Sequence, residues 1–152
     1  MDAASLLIHT AHAIVDDLPW VPSRPGMEIR YIHCSASRRM SAVQIRAQPG
    51  ATTGLHRHLG PVLGYTTKGA WSHDPRDYIY RPNSYICEPN ELHRFFNGPQ
   101  VTEAIYISFG DTEFVDDEGR EVVLRANAAA GLARYFQLCE EKGLPRPNVL
   151  QD

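Results

Sequence analysis

The sequence has no apolar run approaching the roughly 20 residues that a membrane-spanning helix requires, so no such span is expected. Nor is there an excess of positive charge. Fifteen Lys and Arg stand against eighteen Asp and Glu, a net charge of −3. That balance offers no broad basic face for nucleic acid and no polybasic segment for an anionic membrane. Cysteine is scarce: Cys34, Cys87 and Cys139 are odd in number and widely spaced. This predicts reduced thiols and a cytoplasmic setting. Met1-Asp2-Ala3 brings an acid where a secretory leader carries basic residues, so no leader is expected. Internal repeats and low-complexity stretches are missing as well. What remains is ordinary globular composition, 43% hydrophobic and 22% charged over 152 residues. A chain of that length is expected to form one domain over 1–152, with enough buried surface to fold without a disulfide or a metal.

Short runs rich in Ile, Val, Tyr and Thr, punctuated by Gly, Pro and Asn, extend from Met27 to about Leu124. They predict about ten closely spaced strands with no helix between them, an all-β antiparallel sandwich or barrel. The runs Val43–Ala47 and Ala104–Phe109 alternate, so each presents one face to the core and one to a lumen or to solvent. The texture differs on either side. Up to about residue 25 lies an arm, with Leu6, Leu7, Ile14 and Val15 at helical spacing in Ser5–Val15. Leu18-Pro19-Trp20-Val21-Pro22 then reads as an extended strap whose Trp20 packs down. Near the other end, Asn127 can cap a helix over about 126–143, with Leu132, Phe136 and Cys139 on one stripe and Gly143 ending it. The tail Pro145–Asp152 is expected to fray.

Histidine is plentiful, with seven in the chain. His56 and His58 stand at i and i+2 in a strand context, which sends both imidazoles to one face. From there they can converge on one ion, since a metal–nitrogen bond is about 2.0–2.1 Å. Taken alone, His-x-His also describes a structural pair. A third histidine, His93, follows the strand and proline turn of Arg81–Leu92. His73 falls in a hairpin loop and is expected to face solvent, His33 belongs to a sheet face, and His9 and His12 lie in the arm.

A Gly-rich turn, His-x-His and a later Pro-x-x-x-His closing a hairpin resemble the two motifs of the cupin superfamily. His56-Arg57-His58-Leu59-Gly60-Pro61 with Gly64-Tyr65-Thr66-Thr67-Lys68-Gly69 is more specific. It resembles the group of the 2,4'-dihydroxyacetophenone dioxygenases and the acetylacetone-cleaving dioxygenases. Gly110, Phe114, Asp116, Asp117 and Gly119 fit that group too, so the resemblance spans about residues 26 to 125. It implies a double-stranded β-helix, or jelly-roll barrel, carrying the arm and the C-terminal helix. It also implies a metal held by His56, His58 and His93. Most cupins add a glutamate four to six residues after His-x-His. Here those positions are Val62, Leu63 and Gly64, which fits a three-histidine site. Glu88 is the nearest replacement carboxylate, either as a ligand or as a group that supports one.

Three neutral imidazoles leave a divalent ion its full charge and open positions on one face, parallel to the two-histidine-one-carboxylate oxygenase site without its anion. The resemblance therefore implies an iron-dependent dioxygenase, with Fe(2+) as cofactor and O2 as co-substrate, that cleaves a carbon–carbon bond of an aryl hydroxyketone or β-diketone. Zn(2+) and Ni(2+) suit the same ligands. Expected pocket residues are Leu63, Tyr65, Phe95, Tyr106 and Trp20, an aromatic lining better suited to a ketone than to a sugar. Arg57, between two ligands, should point the other way, and Glu88, Glu91, Gln44 and Tyr65 could support the histidines. Two other classes remain open: a regulatory zinc cupin, and a hydrolase or isomerase on the same barrel. Cupin relatives commonly associate through sheet edges and arms, so a homodimer or homotetramer is expected.

Overall fold

The computed structural model describes residues 10–152. Most of the helix expected over Ser5–Val15 lies outside that range. Within it, Thr10–Ile14 has no regular structure and Val15–Asp17 forms one 3₁₀ turn. Twelve strands and one helix follow among the described residues. They are β1 (Val21–Arg24), β2 (Met27–Ser35), β3 (Met40–Ala47), β4 (His56–His58), β5 (Val62–Lys68) and β6 (Trp71–Ser72), then β7 (Tyr85–Glu88), β8 (Phe96–Asn97), β9 (Thr102–Phe109), β10 (Thr112–Val115) and β11 (Val122–Ala126), then α1 (Ala128–Glu141) and β12 (Leu150–Gln151). None of the described helices is long and apolar enough to cross a membrane.

The larger sheet runs β1-β2-β3-β9-β5-β7, with β12 paired to β2, and a smaller one runs β11-β10-β4. Residues of both line one cavity of about 260 Å³. This is the jelly-roll arrangement of a cupin. Alternation builds the cavity wall: Ile29 and Tyr31 of β2 and Val43 and Ile45 of β3 point in. The opposite face of these strands carries Glu28, Arg30, Gln44 and Arg46. Arg30 donates to the Gln44 side chain and Arg46 to Glu28. Trp20 lies on this outer face, with the Arg30 and Arg46 guanidinium carbons each 4.3 Å from its ring centroid. The strap therefore packs Trp20 down, but away from the cavity.

Asn127 caps α1 by accepting from the Ala130 amide. Leu132, Tyr135 and Cys139 of α1 pack with Leu18, Val21, Tyr31 and Cys34, so the helix seals the strap against β2. The tail does not fray. Val149 is 5% exposed, and Leu150 and Gln151 pair in parallel with His33 and Cys34. His33 Nε2 lies 3.0 Å from Asp152 Oδ1, a structural role for that histidine.

Candidate metal centre

His56 and His58 occupy β4, and the pairing of β4 with β10 sets His56 opposite Phe114 and His58 opposite Thr112. His93 joins them through the backbone, because the His56 amide donates to the His93 carbonyl and the His93 amide donates back, at 3.0 and 2.9 Å. The two residues thus form a cross-strand pair, and such neighbours present their side chains to the same face. All three imidazoles are buried, at 7%, 8% and 9% exposure.

Each ring is fixed through Nδ1. His56 Nδ1 donates to the Gly54 carbonyl and His93 Nδ1 to the Glu91 carbonyl, both at 2.8 Å. A carbonyl only accepts, so Nδ1 carries a proton in these two rings, and Nε2 is the nitrogen that can offer a lone pair to a metal. His58 Nδ1 pairs with Thr112 Oγ1 at 3.0 Å. Of the four side chains expected to support the trio, Gln44 binds Arg30 and Tyr65 binds Asn83 instead. Glu91 participates through its backbone only. Gly54 and Thr112 gave no local signal for this role, since a carbonyl is sequence-blind and Thr112 reaches His58 only through the pairing of β10 with β4.

One ring nitrogen from each histidine of the trio lies within 4.8 Å of the other two. Glu88 Oε2 comes to 2.6 Å from His58 Nε2 and 3.5 Å from His93 Nε2. Despite these short separations, neither His58 Nε2 nor His93 Nε2 has an aligned hydrogen-bond partner. Both atoms are thus left with the Glu88 carboxylate beside them and without a hydrogen bond that would tie them up. Neighbouring donors around an ion with bonds of about 2.0–2.2 Å stand roughly 3 Å apart, so the donor set fits a divalent cation.

The electrostatics follow from burial and from Glu88. Desolvation, helped by His93 and His58, pulls His56 down to about 4, so its imidazole is neutral at neutral pH. Desolvation also pulls on His93, but the Glu88 carboxylate and the Glu91 carbonyl carry it above its ordinary value. Burial opposes the charge on Glu88, yet contacts with His58, His73 and His93 hold that carboxyl far below the usual range.

His73, expected in solvent, belongs to this cluster. Its ring is 4.6 Å from His93 and 5.3 Å from Trp71, and its Nε2 stands 3.3 Å from Glu88 Oε1. The sequence places it in a loop, and only the fold brings the loop back over β7. Arg57 does point away, to the buried Glu113, at 2.8 Å. Of the five expected pocket residues, Phe95 and Tyr106 line the cavity. Leu63, Tyr65 and Trp20 do not. Tyr65 is 42% exposed on the outer face of β5, and Leu63 shares its parity, whereas Val62 lies inward at 2%. Gly64 also points inward. A Cβ there would come within 3.0 Å of the Tyr106 ring, so the glycine makes room for that side chain.

Comparison with known proteins agrees with this architecture. The sequence profile of the ChrR Cupin-like domain matches residues 9–113. No curated protein sequence matches the chain significantly. Among solved structures, an RmlC-like cupin protein from Ralstonia eutropha superposes with a TM-score of 0.80 at 20% identity, covering 92% of this chain and 94% of that one. An acetylacetone dioxygenase from Acinetobacter johnsonii gives 0.71 at 21% identity, covering 87% and 96%. The Rhodobacter sphaeroides complex of SigE with the anti-sigma ChrR gives 0.53 at 14% identity, covering 62% and 50%.

Proposed function

The chain belongs to the ChrR cupin-like domain family, and from that footing we propose that it is a non-haem iron dioxygenase cleaving a carbon–carbon bond of an aryl hydroxyketone or a β-diketone. One observation carries the reading: three buried imidazoles, their Nδ1 atoms already engaged, each bring a ligand atom within 4.8 Å of the others, beside a largely apolar cavity that His56 and His58 line. The solved acetylacetone dioxygenase shares the fold and supports the substrate class.

His56, His58 and His93 would hold the metal. A bound divalent iron supplies Lewis acidity toward two substrate oxygens and a path for electrons to O2. The protein does the rest. Three imidazoles bring no charge of their own, so with the single negative charge of Glu88 beside them a divalent ion keeps positive charge for an anionic, bidentate oxygen ligand. Gly54, Glu91 and Thr112 fix the ring planes and so the direction of each lone pair. Ile29, Val43, Ile45, Phe95 and Phe114 wall the cavity with apolar surface that disfavours water and suits a hydrocarbon-bearing ketone. Glu88 keeps one negative charge beside the trio, and His73 engages its second oxygen.

A zinc-holding regulatory role is the rival, favoured by the same Glu88, which completes a four-donor set of the kind closed zinc sites use. Oxygen uptake separates the two. Protein reconstituted anaerobically with iron(II) should consume O2 on addition of a β-diketone or a hydroxyacetophenone, and zinc-loaded protein should not. Iron-loaded protein that consumes no O2 across a panel of ketones would favour the regulatory role.

A further inference from the structure

Arg24 ends β1 and lines the metal cavity. Its guanidinium carbon sits 4.9 Å from the centroid of the Phe114 ring, and that ring in turn is 5.1 Å from the His56 ring. The other arginines of this region are paired: Arg30 with Asp16, Arg46 with Glu28, Arg57 and Arg125 with Glu113, Arg94 with Asp117. Arg24 has no carboxylate partner among the described residues. Burial alone acts on its ionisation, lowering it with no acid to offset the effect. A guanidinium does not escape this by losing its proton, so an unpaired, partly desolvated one is costly unless an anion arrives.

We propose that the substrate carries a carboxylate as well as its metal-chelating oxygens, and that Arg24 binds this carboxylate at the Phe114 side of the cavity. The occupant is then a short diketo acid rather than a neutral diketone. The inference rests on the reading above only for the chelating end. Arg24 is a specificity-determining residue in this account, because the guanidinium fork matches a carboxylate in two parallel hydrogen bonds while its face rests on an aromatic ring.

The test uses zinc-loaded protein, so that no turnover intervenes, and calorimetric titration with two probes that differ by the carboxylate: 2,4-pentanedione and 2,4-dioxopentanoate. The wild type should bind the acid about ten- to a hundredfold more tightly, the range of a hydrogen bond to a charged group. Arg24→Gln should lose most of that preference while holding pentanedione within about twofold, with Arg24→Met as a second charge-free variant. Arg24→Lys, which keeps the charge without the fork, should retain part of it. Zinc content and circular dichroism verify that each variant is folded and loaded. No preference in the wild type overturns the proposal. So does a preference that survives in Arg24→Gln, which would put the carboxylate on the metal instead. The dioxygenase reading stands or falls separately: iron-loaded protein that uses no O2 removes that reading and leaves an Arg24-dependent preference in zinc-loaded protein untouched.

Discussion

Glu88 of β7 stands directly across from Val62 of β5, and both side chains enter the metal cavity. Val62 is four residues after His58, within the window where most cupins carry their glutamate. The carboxylate has not vanished from this site; the neighbouring strand presents it from the facing position.

That relationship predicts a rescue. Glu88→Ala should weaken binding of a divalent ion about 10–100-fold, the usual effect of removing a group that supports a metal centre. Val62→Glu in the Glu88→Ala background should restore much of it, because the new carboxylate starts from the opposing backbone position on the same face. Competition against a fluorescent chelator measures both. Restoration by Leu63→Glu instead would contradict the assignment, since Leu63 faces outward.

Each of His56→Ala, His58→Ala and His93→Ala should abolish stoichiometric metal while the chain stays folded. The fold has cores away from the trio, including Leu132, Tyr135 and Cys139 against Val21 and Tyr31. Metal analysis alongside circular dichroism tests this, and a single variant that keeps one metal per chain would contradict it.

Metal-free protein should lose stability between pH 6.5 and 4.5 through His56. Its folded value lies near 4 and its ordinary value at 6.5, so the unfolded chain takes up the proton first. The stabilising contribution is therefore present above 6.5 and is lost as pH falls toward 4, at no more than about 1.4 kcal/mol per pH unit. Glu88, held low, loses its contribution only further into acid. His93, held high, contributes below 6.5 and loses this as pH rises through its folded value. Urea midpoints of chelator-treated protein should fall across the window, and His56→Gln should flatten the slope. An unchanged slope in that variant would contradict the account.

Deleting residues 149–152 should destabilise the protein by about 2 kcal/mol or more. It removes the buried Val149, worth roughly 1.5–3 kcal/mol, and the pairing of β12 with β2. Thermal melts of the truncated chain measure it; an unshifted melting temperature would mean the tail contributes nothing.

The strands and the trio were legible in the sequence because their signals are local. Period-two spacing puts His56 and His58 on one face whatever the rest of the chain does, and the alternation in β3 and β9 marks their inner walls. Alternation within β5 turns Val62 and Gly64 inward, so Leu63 and Tyr65, apolar in bulk, face out. The unread features depend on partners distant in sequence. β12 has two residues and no periodicity of its own, and it forms only because β2 offers an edge to it. His73 looks like a loop residue until Glu88 and His93 are beside it, and Trp20 shows its bulk in the sequence but not which face of β2 and β3 receives it.

The most direct test of the dioxygenase reading is the fate of oxygen. Iron-loaded protein should turn over a β-diketone under ¹⁸O₂ with one molecule of O2 consumed per molecule cleaved. Mass spectrometry should find one labelled atom in each of the two carbonyl or carboxylate fragments formed at the broken bond, once exchange with water is corrected for. Cleavage that proceeds without O2, with fragments carrying oxygen from water alone, would contradict it and identify a metal-assisted hydrolase.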